Sequence, residues 1–152
     1  MFEKIDHINL VVSDLEGMVN FYSQVLGLKV TKRATIRGKW IDDVVGLAGV
    51  DAEVVYLNTD RGPRIELIRF DQPTGATPDV PTAANTRGLR HLAFRVVDID
   101  QAVAALEVAG VELVSGVQKV PDSQVTYDGG MRKRLVYFHD PESNLLELCE
   151  YR

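Results

Sequence analysis

Apolar positions along the chain follow two rhythms, and the pair of rhythms occurs twice in the same order. The stretches 5–12 and 89–97 are apolar runs of strand length. Each is followed by a segment whose apolar residues fall three and four apart, the period of a helix. Met18, Phe21, Tyr22, Val25 and Leu26 form the first stripe and Gly27 ends it; Ala102, Val103, Leu106 and Ala109 form the second and Gly110 ends it. Both stripes are predicted to face a core. Ser13 with Glu16, and Asp98 with Gln101, have the spacing of capping boxes and predict the two helix starts. Short alternating runs then read as strands at 29–37, 52–58 and 64–70, and again at 112–120, 132–138 and 145–151.

The two halves also match residue by residue. His7-Ile8-Asn9-Leu10-Val11-Val12-Ser13-Asp14-Leu15 lies on His91-Leu92-Ala93-Phe94-Arg95-Val96-Val97-Asp98-Ile99, and Ile65-Glu66-Leu67-Ile68-Arg69-Phe70 lies on Leu146-Glu147-Leu148-Cys149-Glu150-Tyr151. From His7 to Glu66 is 59 positions and from His91 to Glu147 is 56, a difference that loops absorb. Residues 71–88, with Pro73, Gly75, Pro78, Pro81 and Gly88, have linker composition. The expected fold is α+β. Residues 1–152 form one domain of two tandem βαβββ modules, about 5–70 and 89–152. A four-stranded sheet with one helix on one face needs cover on the other, so the modules are expected to face each other as an open, incompletely closed eight-stranded barrel-like cleft.

Strand alternation puts His7, Asn9 and Val11 on the face opposite Ile8, Leu10 and Val12, and treats His91, Ala93 and Arg95 likewise. Glu66 and Glu147 each stand between apolar neighbours and point away from them. A carboxylate in such a strand is costly to bury unpaired. One reading gives each Glu an arginine partner, such as Arg64 or Arg95, with each His a core residue. The other joins His7, Glu66, His91 and Glu147 as ligands of one divalent ion whose charge the two carboxylates neutralise. The only cysteine, Cys149, offers neither a disulfide nor a thiolate cluster, so metal chemistry falls to His and carboxylates. That set suits Ni, Co, Mn, Fe or Zn, and leaves an octahedral ion two neighbouring positions for a chelating substrate.

Charge and composition narrow the partners. With 17 Lys plus Arg against 22 Asp plus Glu the net charge is -5, and no basic run is long enough to draw a nucleic-acid backbone. The apolar stretches are far shorter than the roughly 20 residues of a membrane span, and no basic-then-apolar leader is apparent, so a cytoplasmic protein acting on a small molecule is expected. Sheet edges that need cover add the expectation of a homodimer.

At these residues the chain resembles the vicinal-oxygen-chelate superfamily, which includes glyoxalase I, methylmalonyl-CoA epimerase, extradiol dioxygenases and bleomycin-binding proteins. The resemblance spans essentially the whole chain. It rests on Asp6-His7-Ile8-Asn9-Leu10-Val11-Val12-Ser13-Asp14-Leu15, on Phe21-Tyr22 with Leu26-Gly27-Leu28, on Arg90-His91-Leu92-Ala93-Phe94, and on Asp140-Pro141-Glu142-Ser143-Asn144 leading into Leu146-Glu147-Leu148. The likeness to glyoxalase I and the epimerase implies metal ligands at His7, Glu66, His91 and Glu147, with Glu147 as catalytic base and Glu66 as a second catalytic carboxylate. It implies a metal-dependent lyase or isomerase. The rival readings are an Fe(II) ring-cleaving dioxygenase and a non-catalytic binder of an antibiotic or other small molecule. Trp40 is open to a pocket-wall or a loop role, and Tyr56 and Tyr127 are read as packing. His139 is read as a turn cap and Cys149 as a small buried residue. Arg132-Lys133-Arg134 is either a solvated strand edge or the grip for an anionic tail.

Overall fold

A computed structural model of the chain describes residues 3–77 and 83–152; Pro78 and Pro81 of the expected linker lie outside these. The chain forms two compact units, Met1–Asp79 and Val80–Arg152. In the first, β1 (His7–Val11) leads into helix α1 (Leu15–Asn20), which continues as one turn of π-helix (Phe21–Val25). Then come β2 (Lys29–Arg37), α2 (Lys39–Val45), β3 (Asp51–Asn58) and β4 (Arg64–Gln72). The sheet order is β1-β4-β3-β2, with β1 parallel to β4 and the other neighbours antiparallel. The second unit runs β5 (His91–Arg95), α3 (Ile99–Val108), β6 (Gln118–Lys119), β7 (Lys133–His139) and β8 (Leu145–Tyr151). Its order, β5-β8-β7-β6, repeats that of the first, again with one parallel pair, β5 with β8. The class is therefore α+β, and neither sheet closes on itself.

Each sheet buries one face under its helix. α1 packs on β4, and Leu15, Met18, Val19 and Tyr22 are buried together with Val55, Leu57, Ile65 and Leu67. α3 packs on β8, and Ile99, Leu106, Val136, Phe138, Leu146 and Leu148 are buried. The period-2 alternation sends Tyr56, Glu66 and Ile68 in the first unit, and Tyr137, Glu147 and Cys149 in the second, to the opposite face.

Three local expectations give way, and one helix is added to the expected elements. The cap of α1 is Asp14, not Ser13: its Oδ1 accepts from the Gly17 amide at 3.0 Å. Gly17 makes this approach possible, since a Cβ there would lie 2.2 Å from the Asp14 carboxylate. Asp98 caps α3 as expected, accepting from the amides of Asp100 and Gln101. Ala109 is exposed rather than core, because α3 ends one residue before it. The strand at 112–120 shrinks to Gln118–Lys119 and a single bridge from Leu113 to Phe138, with Gly116 interrupting the run. Finally, residues 39–45 form the helix α2, bounded by Gly38 and Gly46 and burying only Ile41. One buried residue per two turns leaves no periodic stripe for sequence reading to detect. Ile41 packs with Val50, Ala52, Val54 and Ile68, covering one end of the face that carries Glu66.

Candidate functional site

In the first unit the strand register brings three side chains to one place. Glu66 of β4 is paired with Asn9 on β1 and with Tyr56 on β3, and its side chain is 13% exposed. Asn9 Nδ2 donates to Glu66 Oε2 at 2.8 Å, and His7 Nε2 lies 3.5 Å from the same oxygen. Tyr56 donates its hydroxyl to Glu66; that bond, with burial and the carboxylate's charge, pushes the phenol pKa up to about 12. On the far side of the imidazole, His7 Nδ1 is 2.9 Å from Asp6 Oδ2, and Arg64 pairs with the same carboxylate. Hydrogen bonds from His7 and Arg64 hold the Asp6 carboxyl below its ordinary range. Asp6 thus orients the ring through Nδ1 and turns Nε2 toward Glu66.

The second unit repeats the pair with different support. Glu147 of β8 stands between Ala93 and Tyr137 in the register, and His91 Nε2 is 3.3 Å from its Oε2. Ala93, in the place of Asn9, supplies no donor. Lys133 faces the carboxylate instead, with Nζ 2.6 Å from Oε1. This is a charge pair rather than an aligned hydrogen bond, since Oε1 is buried without a partner of bonding geometry. Burial works against the Lys133 charge, but Glu147 outweighs it and holds the ammonium pKa above its usual value. The Tyr137 ring lies 5.2 Å from that of His91; burial, then the Glu147 charge, raises its phenol pKa.

The structure thus brings His7 together with Glu66, and His91 together with Glu147, at repeat-equivalent positions. Among the described residues no group of three or more His, Cys, Asp or Glu side chains is gathered as a metal cluster, so the His–Glu pair is the unit to test for fit. Two atoms bound to one divalent ion at about 2.1 Å each stand roughly 3 to 3.5 Å apart. The separations of 3.5 and 3.3 Å match ligands flanking an ion, with nitrogen and carboxylate oxygen as hard-to-borderline donors.

The arginine alternative does not hold. Arg64 pairs with Asp6, and Arg95 lies over the Tyr151 ring, 5.1 Å from its centroid. His139 is not the turn cap: Asp140 accepts from the amides of Glu142 and Asn144, while His139 Nε2 is buried without a partner. Trp40 projects from α2 at 57% exposure. Cys149 is buried as expected, and burial raises its thiol pKa. The three consecutive cations divide by alternation: Lys133 joins Glu147, whereas Arg134 pairs with Asp100 and Glu150, and Arg132 with Asp122. Asp6, Tyr137 and Lys133 were not singled out individually from the sequence. Tyr56 and Tyr137 are 81 positions apart, as are Glu66 and Glu147, so extending the repeat to the third strand would have found the second tyrosine.

Known proteins match the chain over nearly its whole length. The family profile described as the Glyoxalase/Bleomycin resistance protein/Dioxygenase superfamily matches residues 4–148. The protein YaeR of Escherichia coli is 30% identical over 97% of this chain and 96% of its own. A 2-epi-5-epi-valiolone epimerase from Actinomyces is 27% identical over 95% of this chain and 77% of its own. The crystal structure of a glyoxalase family protein from Bacillus cereus superposes with a TM-score of 0.82 at 30% identity, over 99% of this chain and 95% of the other.

Proposed function

Because this chain belongs to the Glyoxalase/Bleomycin resistance protein/Dioxygenase superfamily, we propose that it is a divalent-metal-dependent lyase or isomerase of the glyoxalase I type, which enolises a small hydroxy- or oxo-carbonyl compound. The observation that carries this reading is the His–Glu pair found at the same register in both sheets, each imidazole Nε2 turned toward a carboxylate oxygen. An epimerase among the relatives supports isomerase chemistry.

In this reading His7, Glu66, His91 and Glu147 hold one divalent ion. Bound there, the ion supplies Lewis acidity that makes a C–H bond beside a chelated carbonyl acidic enough to lose its proton. Glu147 is the base that takes the proton. Its side chain is 4% exposed, so water competes poorly for it, and Lys133 steadies the carboxylate through Oε1 while Oε2 stays on the His91 side. Glu66 is the second carboxylate, oriented by Asn9 and Tyr56, and the Tyr56 phenol stays protonated throughout the neutral range. Asp6 fixes the His7 ring.

The test follows exchange of carbon-bound hydrogen for solvent deuterium by NMR, with metal-loaded protein and a panel of small α-hydroxy ketones and 2-hydroxy aldehydes. Exchange that depends on metal and is lost in Glu147→Gln is the expected result. Absence of metal-dependent exchange across the panel, in protein that binds metal, would count against enolisation.

A further inference from the structure

The two units differ sharply at four matched positions beside the carboxylate. Lys133 is the register partner of Tyr151, as Ala52 is of Phe70, and Arg95 is the partner of Cys149, as Val11 is of Ile68. In the first unit Ala52 and Ile68 belong to an apolar cluster packed by Phe70 and covered by Ile41 of α2. In the second unit Lys133, Cys149 and Tyr151 take the places of Ala52, Ile68 and Phe70, Arg95 takes that of the exposed Val11, and no α-helix lies between β6 and β7 among the described residues. Where the first copy carries Ala52 and Val11, the second carries two cations.

Both cations address one ring. The Arg95 guanidinium carbon is 5.1 Å from the Tyr151 centroid and Lys133 Nζ is 5.8 Å from it, while Tyr127 meets the same ring edge-on at 5.4 Å. Two like charges gathered about one ring repel each other, and the ring quadrupole offsets only part of that. Lys133 has Glu147 as counter-ion. Arg95 is exposed, and among the described residues no carboxylate is paired with it. Its planar fork of donors suits a two-oxygen anion.

We propose that Lys133, Arg95 and the Tyr151 ring form an oxyanion-binding subsite that holds a carboxylate or phosphate tail of the substrate. The substrate class is thereby an anionic oxo- or hydroxy-carbonyl compound, with the tail on the cationic face of the second unit. This deepens the function proposed above by giving the substrate's charge, yet the subsite lies wholly within one unit and can be tested without metal.

The experiment is an NMR titration of metal-free protein with inorganic phosphate and, separately, with succinate. At least one anion is expected to bind saturably, and which one binds more tightly distinguishes a phosphate tail from a carboxylate tail. Arg95→Gln, at an exposed position that the fold does not depend on, should weaken binding at least 10-fold, and Lys133→Gln should do likewise. Glu147→Gln should strengthen it several-fold by releasing Lys133, an effect that a merely structural lysine would not show. Arg61→Gln, an exposed cation of the first unit, should leave it unchanged. No saturable binding of either anion, or an affinity that Arg95→Gln does not alter, would overturn the proposal. Because no metal is present, either result stands apart from whether the four-ligand ion site exists.

Discussion

His7 Nδ1 lies 2.9 Å from Asp6 Oδ2, and the carboxylate that orients this ring is itself pinned by Arg64. A carboxylate behind a ligating imidazole fixes the tautomer and raises the basicity of the other nitrogen. Asp6→Ala should therefore lower the affinity for Zn or Ni about 10- to 100-fold without changing the stoichiometry. Asp6→Asn, which keeps an acceptor oxygen, should lose less. Competition against a chromophoric chelator measures both, and unaltered affinity in Asp6→Ala would detach Asp6 from the site.

Glu66 separates the lyase or isomerase reading from the oxygenase one. It is held by Asn9 and faces His7, so in a four-ligand enzyme Glu66→Ala removes a ligand together with the second carboxylate. Solvent-exchange activity should fall by roughly two orders of magnitude or more, a loss of about 2.7 kcal/mol in transition-state stabilisation. A three-ligand oxygenase would keep part of its activity in the same variant.

Much of this was legible because the chain says it twice. Matching His7 with His91 and Glu66 with Glu147 gave the element order of both units, the face of each sheet that carries the candidates, and the family resemblance. The period-2 pattern placed β2 and β8 to the residue. What stayed hidden depended on features that do not repeat. Among the described residues α2 occurs in one copy only, and it buries the single residue Ile41. The choice of Asp14 over Ser13 as cap turned on the missing side chain of Gly17. Lys133 looked like one of three surface cations until the pleat assigned it, and not its neighbours, to Glu147.

The contrast between Trp40 and Ile41 shows what α2 is for. Ile41 is 5% exposed within the apolar cluster and Trp40 is 57% exposed. Ile41→Ala should cost about 2 to 4 kcal/mol in urea unfolding, whereas Trp40→Ala should stay within about 0.5 kcal/mol. Equal effects would mean that α2 packs differently.

Asp42 ties that helix to the turn leading into β3 and gives stability a dependence on acid. Its two oxygens accept from the amides of Val50 at 2.8 Å and Gly49 at 2.9 Å, and these bonds hold its carboxyl below the ordinary value of 3.8. A folded-state pKa below the unfolded one stabilises the fold above the unfolded pKa, and that contribution disappears as pH falls through the lowered value. The stability difference between the wild type and Asp42→Ala should thus be full at pH 6 and shrink below about pH 4. Urea unfolding across that range checks it; a difference that does not change with pH would contradict the assignment.

The central claim is that the His–Glu pairs are metal ligands, and the most direct test is elemental analysis. Protein purified without added metal or chelator is measured beside the double variant His7→Ala, His91→Ala, and each is then titrated with Ni, Co, Mn, Fe(II) and Zn. The account predicts one divalent ion per chain in the wild type and none in the variant. No metal as purified and no uptake on titration, or equal uptake by the variant, would contradict it.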